Sequence, residues 1–168
     1  QPRKLGLAEA LDLETALVDS TCLQANVHFP TDWVLLRDGV RTLMKATALI
    51  LRAGLRGRME PPEVFLRRMS GLCLAIAQAT RRAGSKRERK RGLRQMKRLV
   101  GIVHAHARRH RELLDQQWAR TDWTRPQAKA ILRRLDTVLE LLPRAQKQAH
   151  ERIIGGRPVA NADKILSL

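Results

Sequence analysis

LVDSTCLQANVHFPTDWVLLRDGVRTL, residues 17–43, does not read like the rest of the chain, and how it is read decides the fold. Thr15 to Thr21 is a strand-length run. Cys22 to Phe29 alternates apolar and polar side chains over most of its length, the period of a half-buried strand. Almost nothing separates the two runs, so a hairpin or a sharply bent strand is expected, ended by Pro30. Asp19 sits within the first run, where a carboxylate is disfavoured unless it faces solvent, pairs with a cation or holds a metal.

Beyond Pro30 the period changes to that of helices. Thr31-Asp32 supplies an N-cap, and Leu36, Val40, Leu43, Thr47 and Ile50 share one face of a helix predicted over residues 33–53, which Gly54 and Gly57 terminate. Pro61-Pro62-Glu63 opens a second helix, where a missing N–H costs nothing and the dipole favours an acid. Its buried stripe is Phe65, Met69, Leu72, Cys73 and Ile76, and Ala83-Gly84-Ser85 breaks it. A third helix is predicted over residues 86–120. A fourth starts at Thr124-Arg125-Pro126, bends at Pro143 and frays near Gly155-Gly156.

The fold class expected is therefore mainly α with a small β part: a hairpin followed by an antiparallel array of about four helices. By segment, residues 1–12 read as the tail of an upstream piece, 13–30 as the first strands of a core, 31–154 as a helical insertion, and 155–168 as a return toward that core. The chain begins at Gln1 without an initiator Met and ends on the apolar alternation Ile165-Leu166-Ser167-Leu168, so a truncated, incomplete fold is expected, with residues 164–168 a β piece.

Lys and Arg number 33 against 16 Asp and Glu in 168 residues, a formal charge of +17. Self-repulsion on that scale makes a polyanion, above all nucleic acid, the leading partner. No stretch approaches the roughly 18–20 apolar residues of a spanning helix, so no membrane partner is expected and the chain reads as soluble and intracellular. Cys22 and Cys73 stand at no metal-ligand spacing and read as reduced thiols. His104, His106 and His110 invite a metal reading, since His106 and His110 share a helix face, but Arg108 and Arg109 flank them and no Cys or third acid stands at a ligand spacing, which argues against zinc. Trp118 and Trp123 read as packing around a turn, Asp38 as solvent-facing, and His28 as structural.

Two stretches, LVDSTCLQANVHFPTDWVLLRDGVRTL and the later RIIGGRPVANADKILSL (residues 152–168), together resemble the catalytic-domain opening of bacterial insertion-sequence transposases of the DDE class. The motifs occur in the same order as in that family and span nearly the whole chain. The resemblance implies a ribonuclease-H-like core begun by the hairpin, Mg²⁺-dependent DNA cleavage and strand transfer, and Asp19 as the first of three carboxylates holding two Mg²⁺ ions. Hard oxygen ligands suit Mg²⁺, and a two-ion clamp steadies both oxygens of an in-line displacement. It further implies DNA partners (transposon ends and target), a homo-oligomer in the active complex, and a bacterial cytoplasmic, nucleoid-associated setting. The second Asp and the Glu have no matching motif here, so the fragment alone is expected to be inactive.

Arg81 and Arg82, then Lys86, Arg87, Arg89, Lys90, Arg91, Arg94, Lys97 and Arg98, crowd cations around the start of the third helix. Like charges at i,i+4 and at a positive dipole end oppose the helix, and the cluster gains when phosphates arrive, so DNA backbone contact is expected there. With three Trp, two Phe and no Tyr, base-stacking platforms are not expected. The competing reading is a noncatalytic basic helical module that binds nucleic acid, with Asp19 structural.

Overall fold

The structure, a computed structural model, describes residues 32–168, the side chain of Asn161 excepted. Four helices carry it: α1 (Asp32–Arg52), α2 (Pro62–Thr80), α3 (Lys86–Gln117) and α4 (Arg125–Ala149). A 3₁₀ turn at Trp118–Arg120 follows α3, a π-helical turn at His150–Gly155 ends α4, and a second 3₁₀ turn lies at Asn161–Asp163. Each boundary has a local cause. Pro62 opens α2 in its first turn. Thr124 caps α4 in a capping box, its backbone N–H donating to Gln127 Oε1 at 2.8 Å while its hydroxyl accepts from the Gln127 N–H. Gly54 (φ +88°) ends α1 and Gly84 (φ +75°) turns the chain from α2 to α3, both in the left-handed region that glycine enters without strain.

The helices run up, down, up, down. Cross-contacts fix the directions: Gly92 lies against Ile76, Arg111 reaches Asp136 while His104 reaches Leu139, and Asp32 meets Gln148 while Gly39 lies against Leu142. α1 and α3 pack against each other and against both other helices, whereas α2 and α4 do not meet. The cross-section is thus a rhomb with α1 and α3 across its short diagonal, their outer faces looking in opposite directions. Leu36, Val40, Leu43, Met44 and Ile50 of α1 are fully buried against Phe65, Met69 and Ile76 of α2, Leu93, Met96 and Val103 of α3, and Leu135 and Leu142 of α4. Trp118 and Trp123 pack partly buried against this core at the α3–α4 turn. Cys73 is a free, buried thiol, its pKa pushed up by burial; Cys22 lies outside the described residues.

Two expectations are corrected. The described residues are 79% helical and contain no strand or sheet, so the mixed α and β class with a ribonuclease-H-like core does not hold for them. The hairpin expected over 13–30 lies outside the described residues. The β piece expected at 164–168 is an extended strap: Ile165 is buried, Leu166 is exposed, and Leu168 reaches the α1 backbone at Gly39, where a Cβ would lie 3.0 Å from its Cδ1. An apolar alternation arises equally in a strand and in a strap laid over helices, and here the Gln148 side chain takes the place of a β-ladder.

Pro143 does not break α4; it leaves the carbonyl of Leu139, four residues back, without its helical donor. His104 Nε2 on α3 stands 3.1 Å from that oxygen, and because a carbonyl only accepts, the imidazole carries its proton on Nε2. The proline's defect is thus mended from the neighbouring helix. Replacing His104 with Ala should lower stability by about 1–3 kcal/mol, the cost of an unsatisfied carbonyl. In a Pro143→Ala background, where the substitution restores the missing N–H, urea unfolding should show a clearly smaller loss; equal losses in both backgrounds would refute the pairing.

Candidate nucleic-acid interface

Up-down-up-down order brings the N-termini of α1 and α3 to the same end of the bundle as the C-terminus of α4. At that end Asp32 is 4% exposed. Its Oδ1 accepts from Gln148 Nε2 and from Arg152 Nη1, each at 2.9 Å. The same Gln148 amide receives the backbone N–H of Ile165 on Oε1 at 2.7 Å and directs Nε2 toward the Ile165 carbonyl at 3.4 Å. One side chain therefore ties Asp32, within the first motif, to Ile165 in the second, 133 positions later in the numbering. Asp32, expected as a helix cap, has this tertiary role because a buried carboxylate needs charged or amide donors. The left-handed Gly156 (φ +68°) releases the chain from the π-turn into the strap.

The basic cluster lies at this same end. Gln146 Nε2 donates to the Lys97 carbonyl at 3.0 Å, and Lys97 Nζ donates to His150 Nδ1 at 3.2 Å, joining α3 to the end of α4. At roughly 100° per residue, Arg87, Arg91, Arg94 and Arg98 fall on the face opposite Leu93, Met96, Val100 and Val103, while half-buried Lys90 lies on its flank and Lys86, seven residues before Leu93, on the Leu93 side. Arg87, Arg91, Arg94 and Arg98 are exposed, and none of the six has a carboxylate within ion-pair distance among the described residues. Small residues, Gly101 and Ala105, continue the face before Arg108 and Arg109.

Not every expected cation belongs to this face. Arg82 is paired with Glu88 at 2.8 Å, Lys97 is turned to His150, and Arg89 is half-buried with its Nε enclosed and unpartnered. Arg81 is exposed at the α2–α3 turn. Asp19 and His28 lie outside the described residues. Asp38, half-exposed, is paired with Arg37 at 2.9 Å.

The three histidines of α3 each have a separate role. His104 serves Leu139; His110, fully buried, donates from Nδ1 to the His106 carbonyl at 2.8 Å and turns Nε2 to Gly57, where a Cβ would stand 2.7 Å away. His106 lies tilted on the Phe65 ring at 5.5 Å, its pKa lowered by burial and by Arg109 and His110. Among the described residues no three His, Cys, Asp or Glu side chains gather as a metal site.

The sequence reading missed a second group of cations. Arg41 and Lys45 stand exposed on the outer face of α1, and Arg133 and Arg134 on α4 across an intervening groove of about 340 Å³ lined by Lys45 and Arg134. The packing of α1 on α4 brings Lys45 and Arg134 to one groove, whereas Arg41 lines the groove between α1 and α2 with Leu66, Met69 and Ser70. No helix of the described residues is long and apolar enough to cross a membrane.

No protein-family model, curated protein or solved structure matches the chain.

Replacing Gln148 with Leu keeps its bulk and removes its amide. Asp32 then loses one of the two donors it has among the described residues and the Ile165 peptide loses its Gln148 partner, so stability should fall by about 2–4 kcal/mol and the Ile165 amide should exchange with solvent much faster. Unchanged exchange at Ile165 would show that the strap is held by packing alone.

Proposed function

We propose that the chain is part of a DDE-class DNA transposase in which the helical bundle grips duplex DNA by its phosphates, beside the segment that carries Asp19. The observation that supports this most is the shared bundle end. The unpaired cations of α3 occupy the end at which Asp32 and Ile165 are tied together, and Asp19 lies only thirteen residues before Asp32. A duplex held along α3 by Arg87, Lys90, Arg91, Arg94 and Arg98 is thereby kept near the chain's entry to the bundle. Such contacts give affinity without reading bases, and they fix the position of the backbone on which a phosphoryl transfer acts.

Mg²⁺ is the expected cofactor, with Asp19 as one ligand. The acids among the described residues do not supply a set for it: Asp32 is engaged by Gln148 and Arg152, and no cluster of three ligands stands elsewhere. The bundle's own part is to bind and orient DNA.

Two measurements test the two halves of the proposal. Changing Arg87, Lys90, Arg91 and Arg94 to Gln removes four phosphate contacts, so the slope of log K against log salt should shrink by about 3–4; an unchanged slope would mean that the face is merely solvated. In the intact protein, Asp19→Asn should abolish Mg²⁺-dependent strand cleavage while duplex affinity stays within about twofold. Retained cleavage removes Asp19 from the chemistry and leaves the noncatalytic DNA-binding module as the reading.

A further inference from the structure

The groove between α1 and α4 offers charge and apolar surface together. Lys45 of α1 and Arg134 of α4 line it, both exposed and neither with a carboxylate within ion-pair distance among the described residues. Between them lie Ala46, Ala130, half-buried Ile131 and Leu49, which is 45% exposed. A phosphate backbone would use the two cations and gain nothing from the leucine, whereas a segment carrying both acids and leucines uses the whole groove. The groove between α1 and α2 matches such a segment less well. Asp38 is already paired with Arg37 there at 2.9 Å, which leaves Arg41 as the unpaired cation of its lining among the described residues.

The chain itself supplies a segment of that chemistry. Residues 1–31 carry Glu9, Asp12, Glu14 and Asp19 against Arg3 and Lys4, a formal charge of −2, so the total of +17 leaves +19 on residues 32–168. Within them residues 5–13, LGLAEALDL, place Glu9 and Asp12 three positions apart among four leucines. We propose that residues 5–13 are the occupant of the α1–α4 groove, with Glu9 and Asp12 paired to Lys45 and Arg134 and the leucines laid on Leu49 and Ile131. Reach is no obstacle. Lys45 lies thirteen residues into α1, about 20 Å from Asp32, and the nineteen residues from Leu13 to Asp32 span up to roughly 60 Å. Two exposed ion pairs and a small apolar contact are weak between separate molecules, but occupant and groove share one chain, and that raises the effective concentration of one at the other. The inference is independent of the nucleic-acid reading of α3. Its consequence is that Lys45 and Arg134 are withdrawn from competition with α3 for a duplex.

Carbodiimide coupling of the full chain tests the docking, because the reagent joins a carboxylate to an amine that touches it. The wild type should yield an amide from Glu9 or Asp12 to Lys45 within one chain, read by peptide mass spectrometry, in clear excess over links from the same acids to Lys86 and Lys90 of α3. Arg134→Glu leaves the coupling lysine in place and should cut that link severalfold. Adding Glu9→Lys, Asp12→Lys and Lys45→Glu to it should restore the link, with the carboxylate now on α1. Lys45 and Arg134 are both exposed, and an unchanged helical circular dichroism spectrum confirms folding of each variant. Absence of the Lys45 link, links spread evenly over the lysines, or a link undiminished by Arg134→Glu overturns the docking. Coupling between light and heavy-isotope chains in place of coupling within one chain overturns it in favour of a second copy. Where the link is absent and a duplex of ~10 base pairs, about one helical turn, shifts the Lys45 and Arg134 amide resonances, the groove belongs to nucleic acid instead.

Discussion

The amide of Gln148 is the contact on which the arrangement of the rest depends. It copies a peptide group: its oxygen takes the Ile165 N–H at 2.7 Å, and its nitrogen serves the Asp32 carboxylate at 2.9 Å. Without those donors a carboxylate only 4% exposed carries a desolvation cost of several kcal/mol. Arg152 alone leaves Asp32 with a partner that is itself half in solvent, its side chain 44% exposed. Such an ion pair is screened and loosely held, whereas the amide is buried at 6% and fixed on α4. The closure of the bundle on itself therefore rests on an uncharged side chain that salt does not weaken. That matters in a protein whose cations make every other long-range attraction depend on ionic strength.

What was legible in the sequence was local. The stripe Leu36, Val40, Leu43, Thr47 and Ile50, the Pro61-Pro62 start and the Thr124 cap depend on neighbours within a turn or two, and each stands within a residue or so of its expected place. Thr47 belongs in the stripe despite its hydroxyl because it donates to the Leu43 carbonyl at 2.9 Å inside its own helix. What failed was non-local. The strap at 164–168 has the period of a strand, and only Gln148, remote in sequence, shows that its backbone pairs with a side chain. Asp32 looked like a cap because its local setting offers nothing else, and its partners lie 116 and 120 residues away. The histidines of α3 invited a metal reading at their i,i+4 spacing, yet one of them answers a vacancy that Pro143 creates on another helix.

The candidate interface divides along the same line. Lys86 to Arg98 is visible as a run because its cations are consecutive, but the run overstates the site. Helical periodicity sends Arg89 toward the packed side, and tertiary contacts engage Arg82 and Lys97. Arg41, Lys45, Arg133 and Arg134 leave no run at all, since two antiparallel helices contribute two residues each from positions some ninety apart. Charge density along the chain is thus a poor guide to charge density on a surface.

The placement of the acids follows from the same electrostatics. Two helices bearing only cations at their contact would repel across 8–10 Å, a distance that physiological salt screens only in part. Asp115 and Asp136 stand at the α3–α4 contact, where Arg111 bridges them, so the repulsion is cancelled where the helices must touch. On the outer faces the like charges meet water, each face is repelled chiefly by itself, and an arriving phosphate backbone removes that repulsion while releasing its own counterions. The excess of cations is therefore kept where folding tolerates it, and binding a polyanion relieves the strain that remains. Lower salt strains the free bundle, and in the proposed complex with nucleic acid the charges that burden the free form would stabilise the bound one.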